Sequence, residues 1–269
     1  MKNIDAALQL VPPKSVFMIL VAVMIVNTAV NVVPGVMPEL LRNTIGIALS
    51  CFSQLVIAYL LYSGLKVESF HVNDLLSTLQ DLCKIISEKY PEQKQVLYEL
   101  ERVRTSAQKV PRRRVTLLVT IYVVFGLTSL LLVLYSVWKL RGLLEQLITG
   151  ISIEEIYLYL GIASLGGLLA IVSVVALFYA LHVLNKDLLE VEKIEDSVAL
   201  ILRTSGIAST PERTYTVPKR STALYIVLSL ITLGIFILYW IYVVILRDLR
   251  NHLLEDRAIA QQITHLVLT

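Results

Sequence analysis

Charge is what this sequence lacks. Only 17% of its 269 residues are charged and 56% are hydrophobic, where soluble domains run at about 25% charged and about 45–50% apolar. The deficit is uneven. Five stretches, 15–33, 44–65, 115–138, 156–184 and 222–246, contain no Asp, Glu, Lys or Arg. With a mean hydropathy of +0.72, this is the composition of an integral membrane protein. A straight helix over 222–246 would be about 37 Å long, against a hydrocarbon core of roughly 30 Å.

Other absences narrow the function. Ionisable residues inside the membrane are the usual mark of proton relays and ion coupling, and their lack in these runs argues against a secondary transporter. His182, near the end of its run, reads as an interfacial donor. The chain has two cysteines, Cys51 and Cys83. With no CxxC and no His spacing, neither a disulfide framework nor a metal site is indicated, and both read as free buried thiols. There is no HExxH, no Walker A loop, no GxSxG and no GxGxxG after a strand. The acidic pairs Glu154-Glu155 and Glu190-x-Glu192 fit helix capping and a solvated face. No catalytic residue, cofactor or metal ligand is therefore expected. A net charge of +3 is too small to suggest nucleic acid. The expected partner is the lipid bilayer.

What is present is helical grammar. Residues 1–65 read as two transmembrane helices separated by Pro34-Gly35. Asn27 and Asn31 lie four apart on the first, and Ser50 and Gln54 four apart on the second, so each pair shares a face. Amides and hydroxyls so placed are expected to hydrogen-bond between helices; a polar pathway is the alternative. Residues 66–110 change character. Val72, Leu75, Leu79, Leu82 and Ile86 repeat at three and four residues, then Val96, Leu100, Val103, Ala107 and Val110 do the same after Tyr90-Pro91. This predicts an antiparallel amphipathic helical hairpin.

Residues 111–185 hold the third and fourth spans. Arg112, Arg113 and Arg114 abut the third, a signal for orientation or anionic lipid. In the fourth, Ala163, Gly167 and Ala170 form a stripe of small residues suited to close helix packing. Residues 186–217 read as an amphipathic helix, with Val191, Ile194, Val198 and Ile201 in step, followed by a linker at Ser209–Thr214. Residues 218–269 hold the fifth apolar run, flanked by Lys219 and Arg220, and an amphipathic tail broken by Asp256.

That last segment carries a resemblance. Lys219-Arg220, Ile231-Thr-Leu-Gly-Ile-Phe236, Tyr239-Trp-Ile-Tyr242, Asp248 and Asn251-His252 resemble the uncharacterised prokaryotic membrane family called domain of unknown function 4234. The resemblance implies a small integral membrane protein and no known chemistry.

Basic residues concentrate before the first span, in 66–114 and in 186–220, which predicts a multi-pass cell-membrane protein with a cytoplasmic N-terminus. The expected architecture is an all-α polytopic membrane protein with about five transmembrane helices and a cytoplasmic helical hairpin. The tail's Arg247, Arg250 and Arg257 conflict with a straight fifth crossing. A break at Thr232-Leu233-Gly234, making the run re-entrant, would remove the conflict, and both readings stand at this point. The expected function is a non-enzymatic scaffold or accessory subunit that assembles with a protein partner or with itself through its amphipathic helices. The alternative is a channel or transporter subunit with a path at Asn27, Asn31, Ser50 and Gln54.

Overall fold

The computed structural model describes residues 4–32, 38–110, 115–145, 153–210, 212–232 and 234–268, and their regular structure is entirely helical. In chain order the helices are α1 (Ile4–Leu10), α2 (Lys14–Val32), α3 (Glu39–Lys89), α4 (Lys94–Gln108), α5 (Val115–Glu145), α6 (Ile153–Thr204), α7 (Thr222–Ile231), α8 (Ile235–Ile241) and α9 (Leu249–Leu268). A π-helical turn, Tyr242–Asp248, joins the last two. Four stretches are long and apolar enough to cross a membrane: Ile4–Val32, Leu41–Lys89, Val115–Leu143 and Ile153–Thr204. Lysines close two of the apolar runs beside aromatic rings, Lys66 over Tyr62 and Lys139 over Trp138, the pairing that suits a membrane–water boundary. Arg112–Arg114 lie outside the described residues.

Two helices outrun their apolar stretches. At 51 and 52 residues, α3 and α6 are each roughly 75 Å long, more than twice the hydrocarbon thickness. No proline or glycine falls between Lys66 and Lys89, so nothing breaks α3 where charge begins. The first arm of the amphipathic hairpin is therefore the far half of α3 rather than a new helix. The second arm is α4, reached through the turn at Pro91.

The chain gathers into two compact units, one of 1–17, 60–113 and 181–269, the other of 18–59 and 114–180. In the first, the amphipathic stripes meet. Val72, Leu75 and Leu79 of α3 pack with Ala107 of α4, with Val110 just after it and with Val191 of α6. Further along, Cys83 and Ile86 pack with Leu100 and Leu202, and Val96, Leu97 and Ile201 close around them. Each such side chain gains about 1.5–3 kcal/mol on leaving water. That is why short segments of mixed charge hold helical form here.

The fifth apolar run is not one continuous helix. α7 has ten residues, about 15 Å, half of what a crossing needs. Gly234 then takes φ +90° and its amide donates to the Ser229 carbonyl at 2.7 Å, the left-handed closure that favours glycine. Thr232 secures both sides of the break: its hydroxyl donates to the Leu228 carbonyl and accepts from the Phe236 amide. Tyr225 of α7 stacks edge-on against Phe236 and Trp240 of α8, at 5.1 and 5.3 Å between ring centres. The run therefore doubles back as two short helices packed on each other. Replacing Gly234 with Ala puts a Cβ into a left-handed residue, and we expect a loss of about 1–2 kcal/mol, read as a lowered melting temperature in detergent. Asn, which tolerates this conformation, should lose less.

Candidate functional site

The polar residues flagged in the apolar runs lie in the second unit. Asn27 Nδ2 donates to Ser50 Oγ at 3.1 Å, and Asn31 Nδ2 donates to Asn27 Oδ1 at 3.0 Å. Gln54 turns elsewhere: its amide donates to the Tyr122 carbonyl of α5 at 3.3 Å. Ser173 of α6 donates to the same carbonyl at 2.8 Å. Gly126 permits this arrangement, since a Cβ there would sit 1.6 Å from Gln54 Nε2. In the small-residue stripe the close approach falls on the neighbouring glycine. A Cβ on Gly167 would meet nothing within 4 Å, whereas one on Gly166 would meet Val133 Cγ2 at 2.8 Å and the Ser129 carbonyl at 3.2 Å. Close packing at Gly167 is thus corrected to Gly166. One residue is about 100° around a helix, enough to leave the contact face.

The densest chemistry is in the first unit, where no site was expected. His71 of α3, Glu195 of α6, and His252 and Asp256 of α9 are all buried. One ligand atom from each lies within 4.8 Å of the others. His71 Nε2 is 3.1 Å from Glu195 Oε1 and 3.2 Å from Asp256 Oδ2, and His252 Nε2 is 3.2 Å from Asp256 Oδ2. The two imidazoles meet edge to face, 5.2 Å between centres. Helical spacing explains the placement. Glu195 is four residues after Val191 and three before Val198, so it shares their buried face. His252 and Asp256 are one turn apart, and Asp248 a turn earlier.

Arg213 meets the cluster from the other side. It donates through Nη2 to Glu195 Oε2 at 2.6 Å and through Nε to Asp196 Oδ1 at 2.8 Å, and its Nη1 forms an ion pair with Asp256 Oδ1 at 2.7 Å. Asp256 thus gives one oxygen to the guanidinium and the other to the imidazoles, while Glu195 turns Oε1 to His71 and shares Oε2 between Arg213 and, at 3.5 Å, His252. Burial would drive the His71 proton off, but Asp256 and Glu195 outweigh it and raise its pKa to about 10. Burial dominates at His252, which is pushed down to about 3. Burial, with the charge of Asp256, raises Glu195 to about 7. Asp256 is held well below the usual carboxylate range: burial opposes this, but His252, His71 and Arg213 prevail.

The segment carrying Arg213 reads in sequence as a linker, but it is a strap pinned along its length. The Arg203 guanidinium donates to the Thr210 carbonyl, and Thr210 donates to the Ala199 carbonyl. Thr214 donates to Glu255 through both its amide and its hydroxyl. The Val217 amide donates to the Glu192 carboxylate at 3.0 Å. Arg220 forms an ion pair with Asp248, which also accepts from the Tyr215 hydroxyl at 2.7 Å and from Arg247 at 3.0 Å. Burial and Asp248 together push the Tyr215 phenol up to about 12. Lys219 is exposed, but Arg220, read in sequence as a lipid or orientation residue, has a side chain only 6% exposed. A groove of about 440 Å³ runs beside the cluster, reaching Glu195, Arg213 and Asp256 between apolar walls that include Leu79, Leu202 and Ile259.

Residues 220–267 match the family described as Domain of unknown function (DUF4234). No curated protein and no solved structure matches the chain. The matched segment supplies Arg220, Asp248, His252 and Asp256. Their partners His71, Glu195, Arg213 and Tyr215 come from outside it. The signal that would have found this cluster is charge on an apolar stripe: Glu195 and Asp256 stand at core-facing steps of their helices. Removing Arg213 leaves two buried carboxylates short of a counter-charge, and loss of one partner of a buried pair costs about 3–5 kcal/mol. We expect Arg213→Met to lower unfolding stability by that amount, with Arg203→Met, on an exposed pair, changing it by less than about 1 kcal/mol. Equal effects in denaturant titrations would contradict this reading of the cluster.

Proposed function

We propose that the chain is a non-enzymatic, multi-pass membrane protein with a cytoplasmic N-terminus, a scaffold or accessory subunit whose extramembrane helices form an assembly module. The observation that carries this reading is the junction at Arg213. Four elements far apart in sequence place charges there that answer one another, and the junction's own members include no hydroxyl or thiol nucleophile. Such a junction fixes helices. The stripes that would otherwise demand a partner are covered within the first unit, so assembly would use the finished module rather than its separate helices. In the second unit, Asn27, Asn31, Ser50 and Gln54 bond to one another or to backbone, which favours interhelical glue over a channel lining.

The same packing supports a topology. α9 and the far half of α3 share one unit, so the tail belongs on the face that carries 66–110. The doubling back of 222–246 makes this possible, and the basic residues of both segments then obey one orientation rule. Single cysteines at Tyr98 and at Thr269, in a chain with Cys51 and Cys83 replaced by Ala, should label from the same, cytoplasmic side. Labelling from opposite faces would overturn the topology.

The assembly role is tested by placing a charge in the core. Leu79 is 1% exposed, and Leu79→Asp should cost at least about 3 kcal/mol. We expect faster proteolysis of 66–110, normal membrane insertion, and loss of any complex of fixed stoichiometry cross-linked in native membranes. A wild-type chain that runs as a free monomer both in native membranes and in mild detergent would overturn the scaffold reading.

A further inference from the structure

Three helices of the first unit bring two imidazoles and two carboxylates to one buried point. The ligand atoms lie within 4.8 Å of one another, and three of the separations are 3.1, 3.2 and 3.2 Å. Four ligands at about 2.0–2.2 Å around a tetrahedral metal stand about 3.3–3.6 Å apart along each edge. Those three separations already match such an edge, and side-chain rotation would have to draw in the longer ones.

Hydrogen bonding does not account for the arrangement. His71 Nε2 lies 3.1 and 3.2 Å from two carboxylate oxygens, and neither approach has the alignment of a good hydrogen bond. A single N–H cannot point along both. None of the four ring nitrogens of His71 and His252 has a hydrogen-bond partner, although the two side chains are only 1% and 0% exposed. Buried polar atoms are rarely left in this state without a reason. A metal ion would take one nitrogen from each ring and one oxygen from each acid.

Arg213 completes the pattern. It holds Glu195 Oε2 and Asp256 Oδ1, which leaves Glu195 Oε1 and Asp256 Oδ2 turned toward the imidazoles. Ligating carboxylates are commonly oriented by such outer partners. The donor set also selects the ion. Magnesium and calcium favour shells of oxygen alone, and copper(I) favours sulfur. Two imidazoles with two carboxylates suit a borderline divalent ion. The groove beside Glu195 and Asp256 supplies a route in.

We propose that His71, Glu195, His252 and Asp256 form a closed four-ligand site for a divalent first-row transition metal, zinc being the type. All four protein ligands are used, the pattern of structural rather than catalytic zinc. Occupancy would tie α9 and the family-like segment to α3 and α6. This goes beyond the scaffold reading, which stands or falls on the assembly and does not require the metal.

The test uses the full-length protein in mild detergent, stripped with a chelator and titrated with zinc alone, then with cobalt and with magnesium. We expect one saturable zinc site per chain, a melting temperature several degrees higher with zinc than with equal magnesium, and the strong visible absorption of four-coordinate cobalt. His252→Asn leaves the contacts of His71 and Arg213 with the carboxylates in place and should weaken zinc binding by more than about 100-fold. His71→Asn should abolish the cobalt signal. Should either variant fail to fold, the chelator-and-zinc shift of the wild-type melting temperature decides alone. No saturable zinc uptake, an equal shift with magnesium, or folded His252→Asn and His71→Asn chains that bind like wild type would overturn the site.

Discussion

A charge taken out of water must be answered by another charge at short range, or the fold that buries it is lost. In the first unit that constraint fixes the chain's course. Glu195 and Asp256 are buried on α6 and α9, and Arg213 is the cation between them. The strap must bring Arg213 inward, so its other groups are set in place too: Thr214 on Glu255, Val217 on Glu192, Tyr215 and Arg220 on Asp248. A stretch that reads as a linker becomes a clasp because its polar groups match carboxylates on the helices it crosses.

The same clasp explains why the last apolar run turns. Arg220 begins the run and Asp248 follows it, and the two are paired. A straight helix from one to the other would hold them roughly 40 Å apart. Gly234 in its left-handed conformation lets α7 and α8 lie back to back, and the aromatic contacts of Tyr225 hold the turn. The π-helical turn from Tyr242 to Asp248 then leads into the helix that carries His252 and Asp256.

Much of the fold was legible in sequence, because composition and period are local properties. Uncharged runs gave the four long apolar helices, and the three-and-four spacing of Val72, Leu75 and Leu79 marked a face that is in fact buried. The length of α3 was less legible. The change of composition at Lys66 suggested a boundary, but backbone continuity depends on the absence of Pro and Gly there. Gly166 and Gly167 could not be told apart, since small size alone does not say which one faces a neighbour. The buried cluster escaped because His71, Glu195, Arg213 and His252 are separated by long stretches and share no spacing. Only their positions on apolar faces connect them, and that reads as an interruption until three helices are assembled.

The central claim is that α3, α6, the strap and α9 are one cooperative unit held by buried charge. Native-state hydrogen exchange on the full-length protein tests it most directly. Backbone amides in 69–86, 188–202 and 249–256 should share one opening free energy. All should lose protection together when Arg213 is replaced by Met, while amides in 160–175 keep theirs. Independent exchange of the three segments, or loss of protection confined to the strap, would contradict it.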